Sequence, residues 1–164
     1  AAAYEELMRR IENGKAKKED NHLSSLVIHY LYARSLFPEM PLNGKANEAA
    51  AFYRKQADKY WLSQGLYEQG LIALALHNED EQSETAQKIV KSLRERALYN
   101  EELGMYWKID YGYFWHQLPI ETHSLMVEVF AQVAKDEEAV EQLKIWLLRS
   151  ARFYHQPQKC SFWA

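Results

Sequence analysis

Apolar residues recur at the spacing of an α-helix along most of the chain, and this periodicity is the strongest constraint on its fold. Between residues 21 and 37, for example, apolar side chains follow the i, i+3, i+4, i+7 pattern of one helix face. No alternating apolar and polar stretch of strand length is present, and only six Gly and four Pro interrupt the 164 residues. The sequence therefore predicts an all-α protein, with Leu26, Tyr30 and Leu74 among its core residues.

Capping residues divide this pattern into seven predicted helices. Asn13 and Gly14 together are typical of a helix end, and Pro119 suits the first turn of a helix. Asn21 and Asp136 are candidate N-caps. The predicted helices span about residues 3–12, 21–37, 47–63, 65–77, 83–98, 119–134 and 136–150. We expect one helical domain over residues 1–150 and an irregular, basic and aromatic tail over residues 151–164.

A weak internal repeat relates two of these helices. Residues 67–76 align with residues 120–129, so that Glu68 matches Glu121 at an offset of 53 residues. A polar turn and a second, more charged helix follow each copy. Small residues such as Gly70 on the first helix let helix axes approach closely, as in an inner layer. The repeat predicts antiparallel helical hairpins that form part of an α/α toroid, because the period and Trp/Gly/Tyr pattern of a TPR solenoid are missing.

Residues 104–117 are aromatic and have no helical period. Long ordered loops often carry function. In one interpretation, the rings stack on sugars, His116 or Glu121 transfers protons, and Asp110 supplies the second carboxylate of a glycoside-hydrolase pair. In the other interpretation, which we favour, the aromatic side chains pack this segment onto helix ends. The candidate surface or cavity residues are Trp107, Asp110, Tyr113, Trp115, His116 and Glu121.

Few other residues show the pattern of a reactive site. The six His include no pair four residues apart and no HExxH motif, and Cys160 has no adjacent His to activate it. Phosphate-binding loops and nucleophile elbows are also missing from the sequence. We therefore expect no catalytic residue, no metal and no cofactor. The net charge of −3, with both signs interleaved, argues against a nucleic-acid-binding protein.

Five segments are distinctive in their order along the chain. They are HYLYARS (residues 29–35), QADKYWL (56–62), GMYWK (104–108), PIET (119–122) and KIWLLR (144–149). Together they resemble the helical domain of bacterial alpha-2-macroglobulin-like proteins, and the resemblance covers about residues 5–150. It implies an α/α toroid within a large, exported, multidomain protein of the cell envelope, in the periplasm or associated with the outer membrane.

The resemblance also implies partners and a mechanism. Relatives inhibit endopeptidases: cleavage of a bait segment triggers collapse of the inhibitor around the peptidase. The expected partners are neighbouring domains of a larger parent chain and target peptidases, with no nucleic acid. In many relatives this domain carries a thioester formed within a Cys-x-x-Gln motif. Here Cys160 is followed by Ser161, Phe162 and Trp163, so this stretch cannot form the thioester, and a non-catalytic domain is expected.

Two alternatives remain open at this stage. One is an α/α-toroid glycoside hydrolase or lyase that uses Glu121 and the aromatic segment. The other is a helical-repeat scaffold that binds proteins. An open half-ring exposes an apolar edge, so self-association of the fragment is also expected. The tail over residues 151–164 departs from the family pattern, which suggests a truncation or a change of reading frame there.

Overall fold

The structure is a computed structural model that describes residues 2–109 and 118–154. Within this part, the chain forms seven α-helices and one two-stranded hairpin. The prediction of a mainly helical protein is confirmed. The elements are α1 (Ala2–Glu12), α2 (Ser25–Ser35), α3 (Lys45–Tyr60), α4 (Leu66–Glu79), α5 (Glu84–Glu95), β1 (Leu98–Asn100), β2 (Gly104–Tyr106), α6 (Pro119–Val129) and α7 (Glu137–Tyr154). A 3-10 turn (Trp61–Ser63) follows α3, and a π-turn (Phe130–Ala134) follows α6.

Local sequence signals set several of these boundaries. Gly14, at a φ of 68°, ends α1 as predicted, and its N–H donates to the Ile11 carbonyl at 3.0 Å. The Asp136 carboxylate accepts from the Ala139 N–H at 3.0 Å and caps α7, again as predicted. Pro119 occupies the first turn of α6.

The predicted N-cap of α2 is wrong. The helix begins at Ser25, and the side chain of Ser24 accepts a hydrogen bond from the Val27 N–H. Asn21 instead accepts from the Leu23 N–H at 3.0 Å. The Asn side chain therefore closes a local turn ahead of the helix, which is the usual competing role for this residue type.

The chain divides into two compact units, residues 1–89 and residues 90–164. In the first unit, α4 packs against α2 and is buried along most of its length, with Leu74 fully buried as predicted. Leu26 and Tyr30 are not core residues, since they are 80% and 45% exposed. They lie on the face of α2 opposite to the one that packs on α4, a distinction that apolar spacing alone does not make.

In the second unit, the β-hairpin and the helix pair α6–α7 form the core. Strand β2 packs against α7, and α6 packs against α7. Gly104, at a φ of 76°, permits this contact, because a Cβ at that position would stand 2.2 Å from the Gln142 carbonyl oxygen. The largest fully buried side chains of this unit are Leu93, Met105, His123, Met126, Phe130 and Leu143.

Candidate functional site

Two of the six candidate site residues, Trp107 and Glu121, lie in the described part of the chain. Trp107 directly follows the hairpin and is buried, with 6% of its surface exposed. Glu121 is half-buried in the first turn of α6. The other four candidates, Asp110, Tyr113, Trp115 and His116, lie outside the described residues.

Hydrogen bonds hold Trp107 at both its ring and its backbone. The indole Nε1–H donates to the Leu93 carbonyl at 3.0 Å. The backbone N–H donates to the His123 Nε2 at 3.1 Å. A ring that is buried and bonded in this way offers no face on which a ligand could stack, so Trp107 contributes to packing rather than to a surface site.

His123 is fully buried on α6, and both of its ring nitrogens are occupied. Its Nδ1 lies 2.6 Å from the Pro119 carbonyl oxygen. A carbonyl only accepts hydrogen bonds, so Nδ1 carries the proton, and Nε2 is left as the acceptor for the Trp107 N–H. The two hydrogen bonds together fix one neutral tautomer of the imidazole.

Aromatic rings surround this imidazole. The Trp146 ring stacks on it at 3.6 Å between centroids and 15° between planes, and the Trp107 ring lies 5.6 Å away. Phe130 packs against Trp107 at 6.1 Å. We call Trp107, His123, Phe130 and Trp146 the His123 cluster. Burial lowers the pKa of His123 to about 4, against the smaller opposing effect of the hydrogen bond to Pro119.

The His123 cluster is built for stability rather than for chemistry. A general base needs a free nitrogen within reach of a substrate proton, and His123 has neither a free nitrogen nor exposure. The spacing of the six His in the sequence bears only on metal binding and does not single out His123. The sequence context of His123 is more informative, because His123 lies close to Leu125 and Met126 in a buried helix. This context favours a core His whose nitrogens are hydrogen-bonded.

Glu121 has a simple structural role. As the acidic residue in the first turn of α6, it interacts favourably with the partial positive charge of the helix N-terminus. Its proposed carboxylate partner, Asp110, is outside the described residues. Glu121 is therefore explained by helix stabilisation without a second carboxylate.

A depression with charged walls and a volume of about 420 Å³ lies on the described surface of the second unit. Its charges are largely paired within the second unit: Asp136 with Arg94, and Glu141 with Lys144 at 2.7 Å. The two signs therefore balance, and the depression has no clear preference for an anion or a cation. Its lining residues are Ala131, Lys135, Asp136, Glu137, Val140, Glu141 and Lys144.

No three His, Cys, Asp or Glu side chains within residues 2–109 and 118–154 are grouped so that they could hold a metal ion. None of the helices described there has the length and apolar character needed to cross a bilayer. Comparisons with protein-family models and with curated proteins give no match to this chain.

Proposed function

We propose that this chain is a non-catalytic helical domain of a large, envelope-associated alpha-2-macroglobulin-like peptidase inhibitor, and that its helices form part of an α/α toroid. The observation that carries the proposal is the ordered run of five sequence segments that resemble that domain. The helical fold agrees with the resemblance at the coarser level of fold class.

The structure adds a reason why three of the five segments belong together. Residues 104–108 supply Gly104 and Trp107, residues 119–122 supply the Pro119 carbonyl, and residues 144–149 supply Trp146. All three segments meet at the His123 cluster of the second unit. Segments that are distant in sequence but joined in one largely buried cluster are expected of a domain whose distinctive residues serve packing.

A non-catalytic role fits the chemistry of the described residues. The buried Trp107 and the neutral, fully bonded His123 leave this cluster without a reactive group. The glycoside-hydrolase alternative needs accessible rings, and the burial of Trp107 counts against it. We further propose that the partners are neighbouring domains of a longer parent chain and target peptidases, and that the parent resides in the cell envelope.

The test uses the complete parent protein encoded by the reading frame that contains this chain. It is incubated with a broad-specificity endopeptidase, and cleavage of a large protein substrate and of a small peptide substrate is followed in parallel. A trapping inhibitor abolishes cleavage of the large substrate while the small substrate is still cut. Heat-denatured parent protein is the control. Unchanged cleavage of both substrates by the treated peptidase would contradict the proposed function.

A further inference from the structure

Helix α2 is apolar on two opposite faces, although only one of them is covered. Ile28 and Leu31 are buried on the side that packs against α4. On the opposite side, Leu26, Tyr30 and Ala33 are exposed at the four- and three-residue spacing of a coiled-coil seam. Phe37, just beyond the helix, is 50% exposed and continues that spacing. We call Leu26, Tyr30, Ala33 and Phe37 the α2 stripe.

A helix that is apolar all round is normally buried all round. Leu36 and Met40, which follow the end of α2, are also exposed, at 48% and 61%. Monomeric proteins rarely expose several large apolar side chains on one helix face, and such faces mark interaction sites. An interface made by two copies of one short helix face is at the small end of specific interfaces, below about 1,200 Å² in total.

The charge around the α2 stripe does not oppose pairing with an identical surface. Helix α2 has no acidic residue, and its one cation, Arg34, donates to the Phe37 and Met40 carbonyls at the helix end. These bonds draw the guanidinium towards the chain's own backbone and neutralise part of the helix C-terminal dipole. Two copies of α2 can therefore pair without bringing acidic side chains of the helix together.

Side-chain size indicates how two copies would fit. In an antiparallel pair of helices with the 4–3–4 spacing of the stripe, Tyr30 lies opposite Ala33 of the other copy, and Leu26 lies opposite Phe37 of the other copy. The large Tyr30 ring of each copy therefore packs against the small Ala33 side chain of the other copy. The two contacts are related by a two-fold axis. We propose that the α2 stripe is a homodimer interface in which two α2 helices pair antiparallel.

The first experiment measures the oligomeric state. Sedimentation equilibrium of the 164-residue chain over roughly 10–200 μM gives a reversible dimer, with a Kd in the tens of micromolar that suits the small area. The double variant Leu26→Glu/Phe37→Glu weakens association at least tenfold, because it buries opposed carboxylates. Leu148→Glu is the matched control: Leu148 is an exposed leucine of α7, at 70%, and its variant still dimerises. Circular dichroism verifies that each variant is helical.

Three outcomes would overturn the proposal: a monomer at every concentration, a double variant that dimerises like the parent, or a Leu148→Glu variant that dissociates. Failure here leaves the proposed inhibitor function intact, because the peptidase assay does not depend on dimerisation.

The second experiment tests the pairing direction. In a Cys160→Ser background, chains with Tyr30→Cys and chains with Ala33→Cys are mixed and oxidised. The antiparallel arrangement makes the mixed disulfide the main product, because positions 30 and 33 face each other across the two-fold axis. A parallel arrangement would cross-link each variant efficiently with itself, and that result would contradict the proposed geometry.

Discussion

Helices α4 and α6 contain the two copies of the sequence repeat, yet they are buried in different ways. In α4, every residue from Gln69 to Ala75 is buried, and most of these side chains are apolar. In α6, Ser124 is exposed, and the buried face includes Thr122 and His123. The same repeat pattern therefore occurs in two kinds of helix. Helix α4 is buried on nearly all sides, whereas the buried face of α6 includes polar, hydrogen-bonded side chains.

The difference is sharpest at one matched position. Gly70 of α4 corresponds to His123 of α6 at the offset of 53 residues, and both residues are buried. Burying a Gly requires no polar partner for a side chain, whereas a buried imidazole is tolerated only when its nitrogens are bonded. His123 meets that requirement through the backbone of Trp107 and Pro119. The stability of α6 therefore depends on the position of the chain that follows the hairpin, and that of α4 does not.

The largest expected effect comes from breaking the hairpin contact in the second unit. Gly104→Ala places a Cβ against the Gln142 carbonyl and strains a φ of 76°, so we expect a loss of roughly 4 kcal/mol in the free energy of unfolding. Urea denaturation measures the loss, and hydrogen exchange of α6 and α7 amides should rise before that of α4 amides.

Gly14→Ala is the matched control for that substitution. Gly14 has a similar φ of 68°, but no atom lies within 4 Å of the added Cβ. Its substitution should cost only the backbone strain, about 1–2 kcal/mol. Equal losses at the two glycines would show that the hairpin contact with α7 contributes nothing beyond strain.

The repeat itself is tested by truncating one pair of equivalent side chains. Leu74 of α4 is fully buried, whereas its counterpart Val127 in α6 is half-buried. Leu74→Ala should destabilise by about 3 kcal/mol, through lost burial and the cavity it leaves. Val127→Ala should cost about 1 kcal/mol, since fewer buried atoms are removed. Similar losses in thermal or urea denaturation would mean that the two helices are equally enclosed.

The pH dependence of stability isolates the polar core of α6. The pKa of His123 is lowered to about 4 in the folded protein, from 6.5 in the unfolded chain. The unfolded state therefore binds the extra proton between these values, and stability falls as the pH drops from 6.5 to 4. Below pH 4, this protonation lowers the free energy of unfolding by about 3 kcal/mol in total. Above pH 6.5 it lowers the free energy of unfolding by nothing.

His123→Gln removes this titration, so its stability should fall less steeply over the same pH range. The free energy of unfolding is plotted against pH for both chains, and the two slopes are subtracted. The contributions of carboxylates common to both chains cancel in this difference. The variant is less stable than the parent at neutral pH, because it loses the stacking on Trp146. Parallel slopes would refute a neutral, buried His123.

Local signals made much of the helical pattern predictable from the sequence. Gly14, Pro119 and Asp136 act on groups within a few residues, so their capping roles follow from sequence alone. The tautomer of His123 depends on the Trp107 backbone, and the space at Gly104 depends on Gln142. Those partners are set by tertiary packing, which periodicity does not encode.

Helix α2 also shows what periodicity does not predict. Its apolar residues were correctly recognised as helical, but spacing does not say which apolar face is covered. Leu26 was expected in the core and is 80% exposed, while Leu31 on the same helix is 3% exposed. In the candidate site, Trp107 is buried, which is the usual outcome for an aromatic side chain in an irregular segment next to helices.

A more modest effect is expected from a single hydrogen bond beside α6. Trp107→Phe preserves an aromatic ring and the backbone bond to His123, but removes the Nε1–H that donates to the Leu93 carbonyl. The loss should be about 1–2 kcal/mol, the cost of leaving a buried carbonyl without its partner. Trp61→Phe, at a half-buried tryptophan of the first unit, is the control and should cost less. Equal, negligible losses in urea denaturation would mean that water replaces the indole at Leu93 and that this side of the His123 cluster is open to solvent.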